Sequence, residues 1–318
     1  MNQSEESKPV EYPEWKEHFR DEPGMHIYGP EGVVLNKGAA DQLNAISDFQ
    51  VRDDDIWVVT FPKSGTTWIQ EIVYLIATGC DQKKSQILMD ERFPFIESDA
   101  LYTSSLRNGM NAVTYLEQME SPRFIKSHLP YSYLPQSLLN NKCCKIIYVI
   151  RNPKDVLVSF FYFYRMLHSR SFIGEFDAFV KYFMEDKLLC TPYWKHVLSF
   201  WNRRHQHNIL IIQYENLHRD LVGEAQKIAD FLGKTLTEED TALLTERCCF
   251  TSMKENPATN KEYWKDLGRW REGGTEFMRK GEVGDWKNHL SEEMNGELDK
   301  WIQKNLSNTT LNLTFELQ

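Results

Sequence analysis

A short loop of small and polar residues could bind an anion. The segment Pro62–Thr67 (PKSGTT) joins an apolar run rich in β-branched residues to an apolar pattern of helical period. At such a strand–loop–helix junction, phosphate is bound by backbone N–H groups and by the helix N-terminus. Lys63 would add a positive charge, and Gly65 would let the backbone approach the anion. The loop is not a Walker A sequence, because Lys63 precedes its only glycine. Taken alone, the loop could equally be a helix-capping turn.

A second polar cluster could bind another anion. Arg151 to Asp155 (RNPKD) follows a second apolar run, and the planar fork of Arg151 suits a phosphate. Asn152 is a good N-cap residue and Pro153 a good first helical residue. Asp155 lies four residues before Ser159 on the same helix face, so we expect it to support the turn rather than contact the anion.

Three buried strands must position these clusters. Ile56–Phe61, Lys145–Ile150 and Ile209–Gln213 are nearly continuous apolar runs. A helical pattern follows each strand. The first ends at Gly79, the second covers residues 154–167, and the third covers residues 221–232. The alternation predicts an α/β fold with a central, mostly parallel sheet flanked by helices. Ligand sites in such sheets lie beyond the carboxyl ends of the strands, where the polar clusters fall.

Four motifs together resemble the cytosolic sulfotransferases. They are Pro62–Trp68 (PKSGTTW), Phe124–Pro130 (FIKSHLP), Tyr148–Asp155 (YVIRNPKD) with Ser159, and Phe277–Gly281 (FMRKG) with Gly284–Lys287 (GDWK). They occur in the order of that family and span about Ile56 to Lys287. The resemblance implies transfer of a sulfuryl group from 3′-phosphoadenosine-5′-phosphosulfate (PAPS) to a small molecule, leaving 3′-phosphoadenosine-5′-phosphate (PAP).

The resemblance also implies which residues bind the donor. The 5′-phosphosulfate would be held by Lys63, Ser64, Gly65, Thr66 and Thr67, and the adenine by Trp68, Tyr214 and Phe250. The 3′-phosphate would be held by Arg151, Ser159, Arg279, Lys280 and Gly281. Phe277 and Met278 begin the same late loop, and the segment from Cys248 to Met253 would wrap the base. The donor carries two separated anionic groups, and the sequence offers two separated cationic sites.

A catalytic centre follows from the second motif. His128 is the candidate base for the acceptor hydroxyl, and a nearby cation such as Lys126 would lower its pKa and keep it neutral. If Phe124–His128 is extended, Lys126 and His128 share a face, with Ser127 between them at the acceptor. The resemblance implies that Lys63 stabilises the leaving oxygen and that Ser159 restrains Lys63 until the acceptor binds.

The acceptor side is expected to be aromatic, which suits a phenol, a steroid or another hydrophobic alcohol, or an amine. Its candidate rings, each of which could instead belong to the core, are Phe93, Phe95, Tyr102, Phe160, Phe163 and Tyr164. Two alternatives use the same donor site. One is a dehydratase that eliminates a transient sulfate ester, and the other is a relative that binds PAP or PAPS without turnover. No carboxylate cluster or histidine pair suggests a metal.

Composition limits the remaining possibilities. The chain has 318 residues and a net charge of −9, so it lacks the basic surface of a general nucleic-acid binder. The six cysteines show no zinc spacing, the N-terminus is polar and acidic, and no apolar stretch spans a membrane. We therefore expect a cytoplasmic protein with free thiols, no nucleic-acid or membrane partner, and a single domain over residues 21–318 after an acidic lead-in at 1–20.

Oligomeric state is predicted from one segment. Cytosolic sulfotransferases often pair through the pattern K-x-x-x-T-V-x-x-x-E. Here Lys287 is followed by Ser291 and Glu292 at the Thr-Val positions and by Gly296 at the Glu position. Burying Glu292 in a small apolar contact would cost desolvation free energy. The sequence therefore predicts a monomer, or a dimer formed through another surface.

Overall fold

A four-stranded parallel sheet forms the centre of the molecule. The structure, a computed structural model, describes residues 12–20, 24–98, 109–140, 143–170 and 172–317, and the backbone of 8–9. The strands are β1 (Lys8–Pro9), β2 (Met25–Tyr28), β3 (Val33–Asn36), β4 (Ile56–Thr60), β5 (Phe124–Ser127), β6 (Lys145–Ile150) and β7 (Ile209–Gln213). The central sheet has the order β5-β4-β6-β7, and β1, β2 and β3 form a small antiparallel sheet.

The two faces of the central sheet pack against different cores. Alternate residues of a strand point to opposite faces, so Trp57 and Val59 of β4 enter one core while Ile56 and Val58 enter the other. The first core includes the helices Pro153–Met166, Phe176–Met184 and Tyr193–Trp201. The second includes the helices Thr66–Ala77 and Leu221–Leu232. Because both faces are covered, the strands are mostly apolar and β4 is buried along its whole length, and the predicted α/β fold is confirmed.

Further helices surround these layers. They are Trp15–His18, Lys37–Asp41, Leu43–Asp48, Met89–Arg92, Ala112–Gln118, Gln136–Asn140, Tyr214–Arg219, Glu238–Arg247, Phe250–Glu255, Tyr263–Asp266 and Glu292–Leu306. Single 3₁₀ turns lie at Lys84–Gln86, Tyr131–Tyr133, His168–Arg170 and Asp285–Asn288. Within the described part of the chain, no helix is both long and apolar enough to cross a membrane.

Local sequence signals determined the helix after β6. The Asn152 side chain accepts a hydrogen bond from the Lys154 N–H at 2.9 Å, and Pro153 is the first helical residue, as predicted. The three predicted strands are found, β4 ending one residue early at Thr60. The segment from Phe124, for which the sequence allows an extended form, forms β5. This strand pairs with β4 and places Val59 opposite Ser127.

The N-terminal residues pack against the main body. Trp15 and Phe19, from the predicted lead-in, are buried in the first core, and Lys8 and Pro9 pair with β2. Residues 1–7 and 10–11 of that segment lie outside the described residues. The boundary at residue 20 stays a prediction. All six cysteines are free, and four of them are buried.

A buried ion pair stabilises the amino edge of the sheet. The Arg123 guanidinium donates to Asp55 through Nε at 2.8 Å and through Nη2 at 2.6 Å. Asp55 precedes β4 and Arg123 precedes β5, so the pair lies at the start of both strands. The opposite, carboxyl edge is where the polar motifs converge.

Candidate active site

The anion-binding loop depends on one glycine. Gly65 has φ +93°, a conformation that favours glycine, and a Cβ there would lie 2.4 Å from the Tyr214 ring. Lys63 also has a positive φ, of 67°. The helix that begins at Thr66 is joined to β4 by a 2.7 Å contact between the hydroxyls of Thr60 and Thr66. The loop backbone is therefore fixed at the end of β4.

A cavity of about 670 Å³ lies at this edge of the sheet. It is lined by most of the predicted site residues: Lys63, Gly65, Thr66, Thr67, Trp68, Lys126, His128, Arg151, Ser159, Tyr214, Cys248, Phe250, Met253, Phe277, Met278, Arg279, Lys280 and Gly281. Ser64 and Ser127 do not line it, and both are buried. Residues from four separate motifs thus meet around one space.

The His128 imidazole has a defined tautomer. Its Nδ1 lies 2.7 Å from the backbone carbonyl oxygen of Thr60. A carbonyl oxygen can only accept, so Nδ1 carries the proton and Nε2 has a free lone pair. Burial and the nearby Lys126 charge hold the pKa of His128 well below its usual value. The side chain is therefore a neutral base in the cavity at pH 7.

Two buried residues hold the His128 backbone. The His128 N–H and the Ser127 hydroxyl both donate to Glu97 Oε1. The His196 Nε2–H donates to the His128 carbonyl at 2.9 Å, and the Tyr148 hydroxyl lies 2.8 Å from His196 Nδ1. Sequence reasoning missed Glu97 and His196. A carboxylate ending the apolar stretch from Phe93 was the available signal for Glu97, whereas His196 had none.

Glu97 reaches this position through the sheet. Residues 94–96 run beside β5, where the Ile96 N–H donates to the Lys126 carbonyl at 3.0 Å and the Lys126 N–H donates to the Pro94 carbonyl at 2.9 Å. Burial raises the pKa of Glu97 to about 7. The Ser127 hydroxyl also accepts from the Leu129 N–H at 3.0 Å. Ser127 thus supports the turn that carries His128.

Two lysines in the cavity have unusually low pKa values. Burial, followed by the charges of Arg151, Lys126 and Arg279, lowers the pKa of Lys63 to about 7. Burial lowers the pKa of Lys126 to about 8. Lys63 Nζ lies 4.5 Å from the centroids of both Phe163 and Phe277. The structure shows no hydrogen bond between Lys63 and Ser159, although both line the cavity. The clustered positive charges favour an anionic ligand in this cavity.

Arg151 connects the first loop to the late loop. Its Nη1 donates to the Lys63 carbonyl at 3.0 Å and its Nη2 to the Glu282 carbonyl at 3.2 Å. The guanidinium lies 4.1 Å from the Tyr214 ring centroid. Its Nε is buried without a hydrogen-bond partner. A buried N–H that lacks an acceptor is suited to an anionic ligand.

Asp155 and Asp285 position the late loop. Asp155 accepts from the Gly284 N–H at 2.8 Å and the Trp286 N–H at 3.0 Å, so it supports the late loop rather than the turn Arg151–Asp155 that it was expected to support. Asp285 pairs with Arg279 at 2.6 Å and with Lys280 at 2.5 Å. These contacts hold the two cationic residues beside the cavity.

A cluster of aromatic side chains, Trp68, Tyr214 and His218, follows the anion-binding loop Pro62–Thr67. The Trp68 ring packs edge-on against Tyr214 and His218, with centroids 5.4 and 4.7 Å away. The Trp68 indole N–H donates to the Cys248 carbonyl at 2.8 Å. Nε2 of His218 is buried without a partner, and His218 lines the cavity. Sequence reasoning missed His218 because it lies outside the four motifs. Gly281 has φ +68° and lies against Phe250, whose ring a Cβ would approach within 2.2 Å.

The predicted aromatic acceptor side is only partly formed by rings. Phe95, Phe160 and Phe163 line the cavity, whereas Phe93 and Tyr164 are buried in the two cores. Tyr102 lies outside the described residues.

A buried ion pair that the sequence did not reveal also lines this side. The Lys261 ammonium donates to Asp90 at 2.6 Å. The Tyr263 hydroxyl also donates to Asp90.

Comparisons with known proteins agree with this geometry. Residues 53–310 match the family model described as the sulfotransferase domain. The chain is 38% identical over 300 residues to luciferin sulfotransferase of Photinus pyralis, covering 89% of this chain and 80% of that one. It is 37% identical to human sulfotransferase 1E1, covering 90% of this chain and 95% of that one. It also resembles the crystal structure of retinol dehydratase in complex with retinol and PAP, with a TM-score of 0.87, 29% identity, and 97% and 98% coverage. The resemblance found in the four motifs is therefore confirmed: the chain belongs to the sulfotransferase family and is a sulfotransferase enzyme.

Proposed function

We propose that this enzyme transfers the sulfuryl group of PAPS to a hydroxyl group, or an amine, of a small hydrophobic acceptor, with His128 as the general base. The observation that carries the proposal is the hydrogen bond from His128 Nδ1 to the Thr60 carbonyl. It leaves Nε2 unprotonated in a cavity that Lys63 and Lys126 also line. A neutral imidazole is the form that can accept a proton.

The donor would bind along the loops already described. Lys63 to Thr67 would hold the 5′-phosphosulfate, with Trp68, Tyr214 and Phe250 around the adenine. The 3′-phosphate would lie near Arg151, Ser159 and the late loop, Arg279 to Gly281. Two observations fit this assignment: Arg151 Nε and His218 Nε2 are buried without hydrogen-bond partners, and burial, followed by neighbouring positive charges, lowers the pKa of Lys63. The retinol dehydratase relative was crystallised with PAP.

The chemical step uses residues on both sides of the reacting bond. His128 Nε2 accepts the proton of the acceptor hydroxyl while that oxygen bonds to sulfur. The bond between sulfur and the bridging oxygen breaks, and its electron pair leaves with the 5′-phosphate of PAP. Lys63 donates a hydrogen bond to that leaving oxygen, and Lys126 stabilises the transferring group. Ser159 lines the same space and would restrain Lys63 until an acceptor binds.

A labelled-donor assay tests the proposal. Purified protein is given PAPS labelled in its sulfonate group and a panel of phenols, steroids, catecholamines and aliphatic alcohols. Labelled sulfate esters of some acceptors support the proposal. Release of free sulfate with loss of water from an allylic alcohol would indicate the dehydratase alternative, and PAP binding without turnover on any acceptor would indicate a non-catalytic relative.

Two further properties are part of the proposal. The positive charge supplied by lysine and arginine makes a divalent ion unnecessary, so EDTA should leave turnover unchanged. We expect a cytoplasmic protein without nucleic-acid or membrane partners, and the free cysteines fit a reducing compartment. Cell fractionation with an antibody against the native chain tests the location, and a protein found only in a membrane or secreted fraction would contradict it.

A further inference from the structure

Arg170 is a buried cation that has no hydrogen-bond or ion-pair partner among the described side chains. It ends the 3₁₀ turn His168–Arg170, lines the cavity, and is 9% exposed. Its Nε is buried and has no hydrogen-bond partner. Across the described residues, its guanidinium forms neither an ion pair nor a side-chain hydrogen bond. Enclosing an unpaired charge is costly, so such a residue usually awaits a ligand or a partner.

The surroundings of Arg170 place it on the acceptor side. The charges of Glu97, Arg170 and Lys126 all act on the Cys190 thiol, which lines the cavity. Glu97 and Lys126 are the neighbours of His128 described above. The charge of Arg170 also acts on the Tyr164 hydroxyl, which accepts from the Leu189 N–H at 2.8 Å. Arg170 therefore lies within electrostatic range of the same cavity-lining thiol as Glu97 and Lys126.

The other charged side chains discussed for this region already have a partner or a proposed role. Lys261 is paired with Asp90. Lys126 Nζ lies 4.3 Å from the Phe95 ring centroid and belongs to the reacting centre. Glu97 accepts two hydrogen bonds through Oε1, and its raised pKa makes it a weak anion at neutral pH. Away from the donor loops, the described lining has four cationic side chains, Lys126, Arg170, Lys261 and Arg269, and two carboxylates, Asp90 and Glu97. The acceptor region thus favours negative over positive charge.

We propose that Arg170 binds a carboxylate carried by the acceptor, separate from the hydroxyl that receives the sulfuryl group. The preferred acceptors would then be hydroxyaryl or hydroxyalkyl carboxylic acids rather than neutral phenols or cationic amines. This inference rests on the proposed function and specifies its substrate class. A guanidinium suits a carboxylate because its Nε–H and Nη–H groups can form two parallel hydrogen bonds, and Nε is the atom left without a partner.

Matched acceptors test the proposal. The probes are 4-hydroxyphenyl alkanoates with chains of one to four methylene groups, the methyl ester of each, and tyramine as a cationic analogue. With saturating PAPS, kcat/KM of the best acid should exceed that of its ester by about tenfold to a hundredfold, the usual value of a charge-assisted hydrogen bond. Tyramine should be the poorest acceptor.

Variants connect this preference to Arg170. In R170Q the advantage of the acid over its ester should disappear, while kcat/KM for the ester and affinity for PAP stay within about twofold. R170K should retain part of the preference, because it keeps the charge but loses the fork. R219Q removes an exposed arginine outside the cavity and should change nothing. The melting temperature of R170Q should equal or exceed that of the wild type, whereas an arginine with a structural role would lower it.

The outcomes separate this proposal from the proposed function. If esters react as well as acids, or if tyramine is preferred, the enzyme is a sulfotransferase of phenols but Arg170 does not select carboxylates. If no phenol reacts, binding of the acids to the PAP-saturated protein is measured by calorimetry. Acid binding that R170Q weakens at least tenfold supports the Arg170 site by itself, and acid binding that R170Q leaves unchanged, or no acid binding at all, overturns it.

Discussion

The Nδ1 atom of His128 lies 2.7 Å from the backbone carbonyl oxygen of Thr60. The two residues are 68 positions apart in sequence, but Thr60 ends β4 and His128 directly follows the neighbouring parallel strand β5. Because Thr60 belongs to the rigid sheet and also contacts Thr66, the base and the anion-binding loop share one support. The tautomer and the position of His128 follow from this relationship. Its low pKa has another cause, since burial and the Lys126 charge outweigh the hydrogen bond to Thr60, which by itself raises the pKa.

Replacing His128 should remove turnover but not nucleotide binding. In His128→Ala, kcat should fall by about 10²–10⁴, the usual contribution of a positioned acid–base group. PAP affinity should change by less than about tenfold, because no proposed phosphate contact comes from His128. The loss should be smaller for acidic phenols, which ionise without help, than for aliphatic alcohols. Turnover on phenols of graded pKa measures this, with His205→Ala, an exposed histidine, as the control. Wild-type turnover on a weakly acidic alcohol would show that His128 is not the base.

Donor affinity should depend on pH through Lys63. In the free protein its pKa is lowered to about 7, and a bound anion would raise it. Below the free pKa, Lys63 is already protonated, so binding takes up no proton. Between that value and the higher pKa of the complex, binding requires proton uptake, and affinity therefore falls as pH rises.

Calorimetry of PAP binding between about pH 7.5 and pH 9 measures this effect, since the nucleotide phosphates, with a second pKa near 6, are then fully ionised. In Lys63→Met, the affinity for PAP should be lower near pH 7.5 and should change less with pH across this range. Lys126→Met controls for the other low-pKa lysine in the cavity. An affinity that falls as steeply in Lys63→Met as in the wild type would assign the proton to another group.

Gly65→Ala should be more damaging than Gly79→Ala. Both glycines have a positive φ, +93° and +66°, so both variants carry backbone strain of about 1–2 kcal/mol. A Cβ at Gly79 meets nothing within 4 Å, whereas at Gly65 it lies 2.4 Å from the Tyr214 ring. We expect Gly65→Ala to displace Tyr214 and weaken PAP binding, while Gly79→Ala lowers only the melting temperature. Equal nucleotide affinity in the two variants would contradict the close approach of Gly65 and Tyr214.

The protein should be a monomer in solution, or a dimer formed through another surface. Ser291 N-caps the helix Glu292–Leu306, its hydroxyl accepting from the Met294 N–H at 3.2 Å, and both Ser291 and Glu292 are exposed. Pairing this segment would bury the Glu292 carboxylate, which is unfavourable. Light scattering of the full chain measures the mass. A stable dimer that dissociates when Ser291 or Glu292 is replaced would refute this expectation.

Much of this architecture could be predicted from local patterns. Continuous β-branched runs are stable only when a sheet is covered on both faces, so Lys145–Ile150 and Ile209–Gln213 were predicted to the residue. Asn152 with Pro153, and Gly233 as the left-handed cap after Leu232, specify helix ends through backbone geometry that the residue type controls. The motifs identified the family and most of the cavity lining for the same reason: these residue types act at short range along the chain.

Only the tertiary structure decided which distant groups meet. Glu97 and His196 hold His128, and Arg170 lines the cavity with no partner in the part of the chain that the structure describes, because strand order and helix packing bring these residues together. No spacing in the sequence encodes those distances. Burial is likewise a property of the folded molecule. The same lysine that would be an ordinary cation in solution has its pKa lowered to about 7 at position 63, since protein and other positive charges surround it.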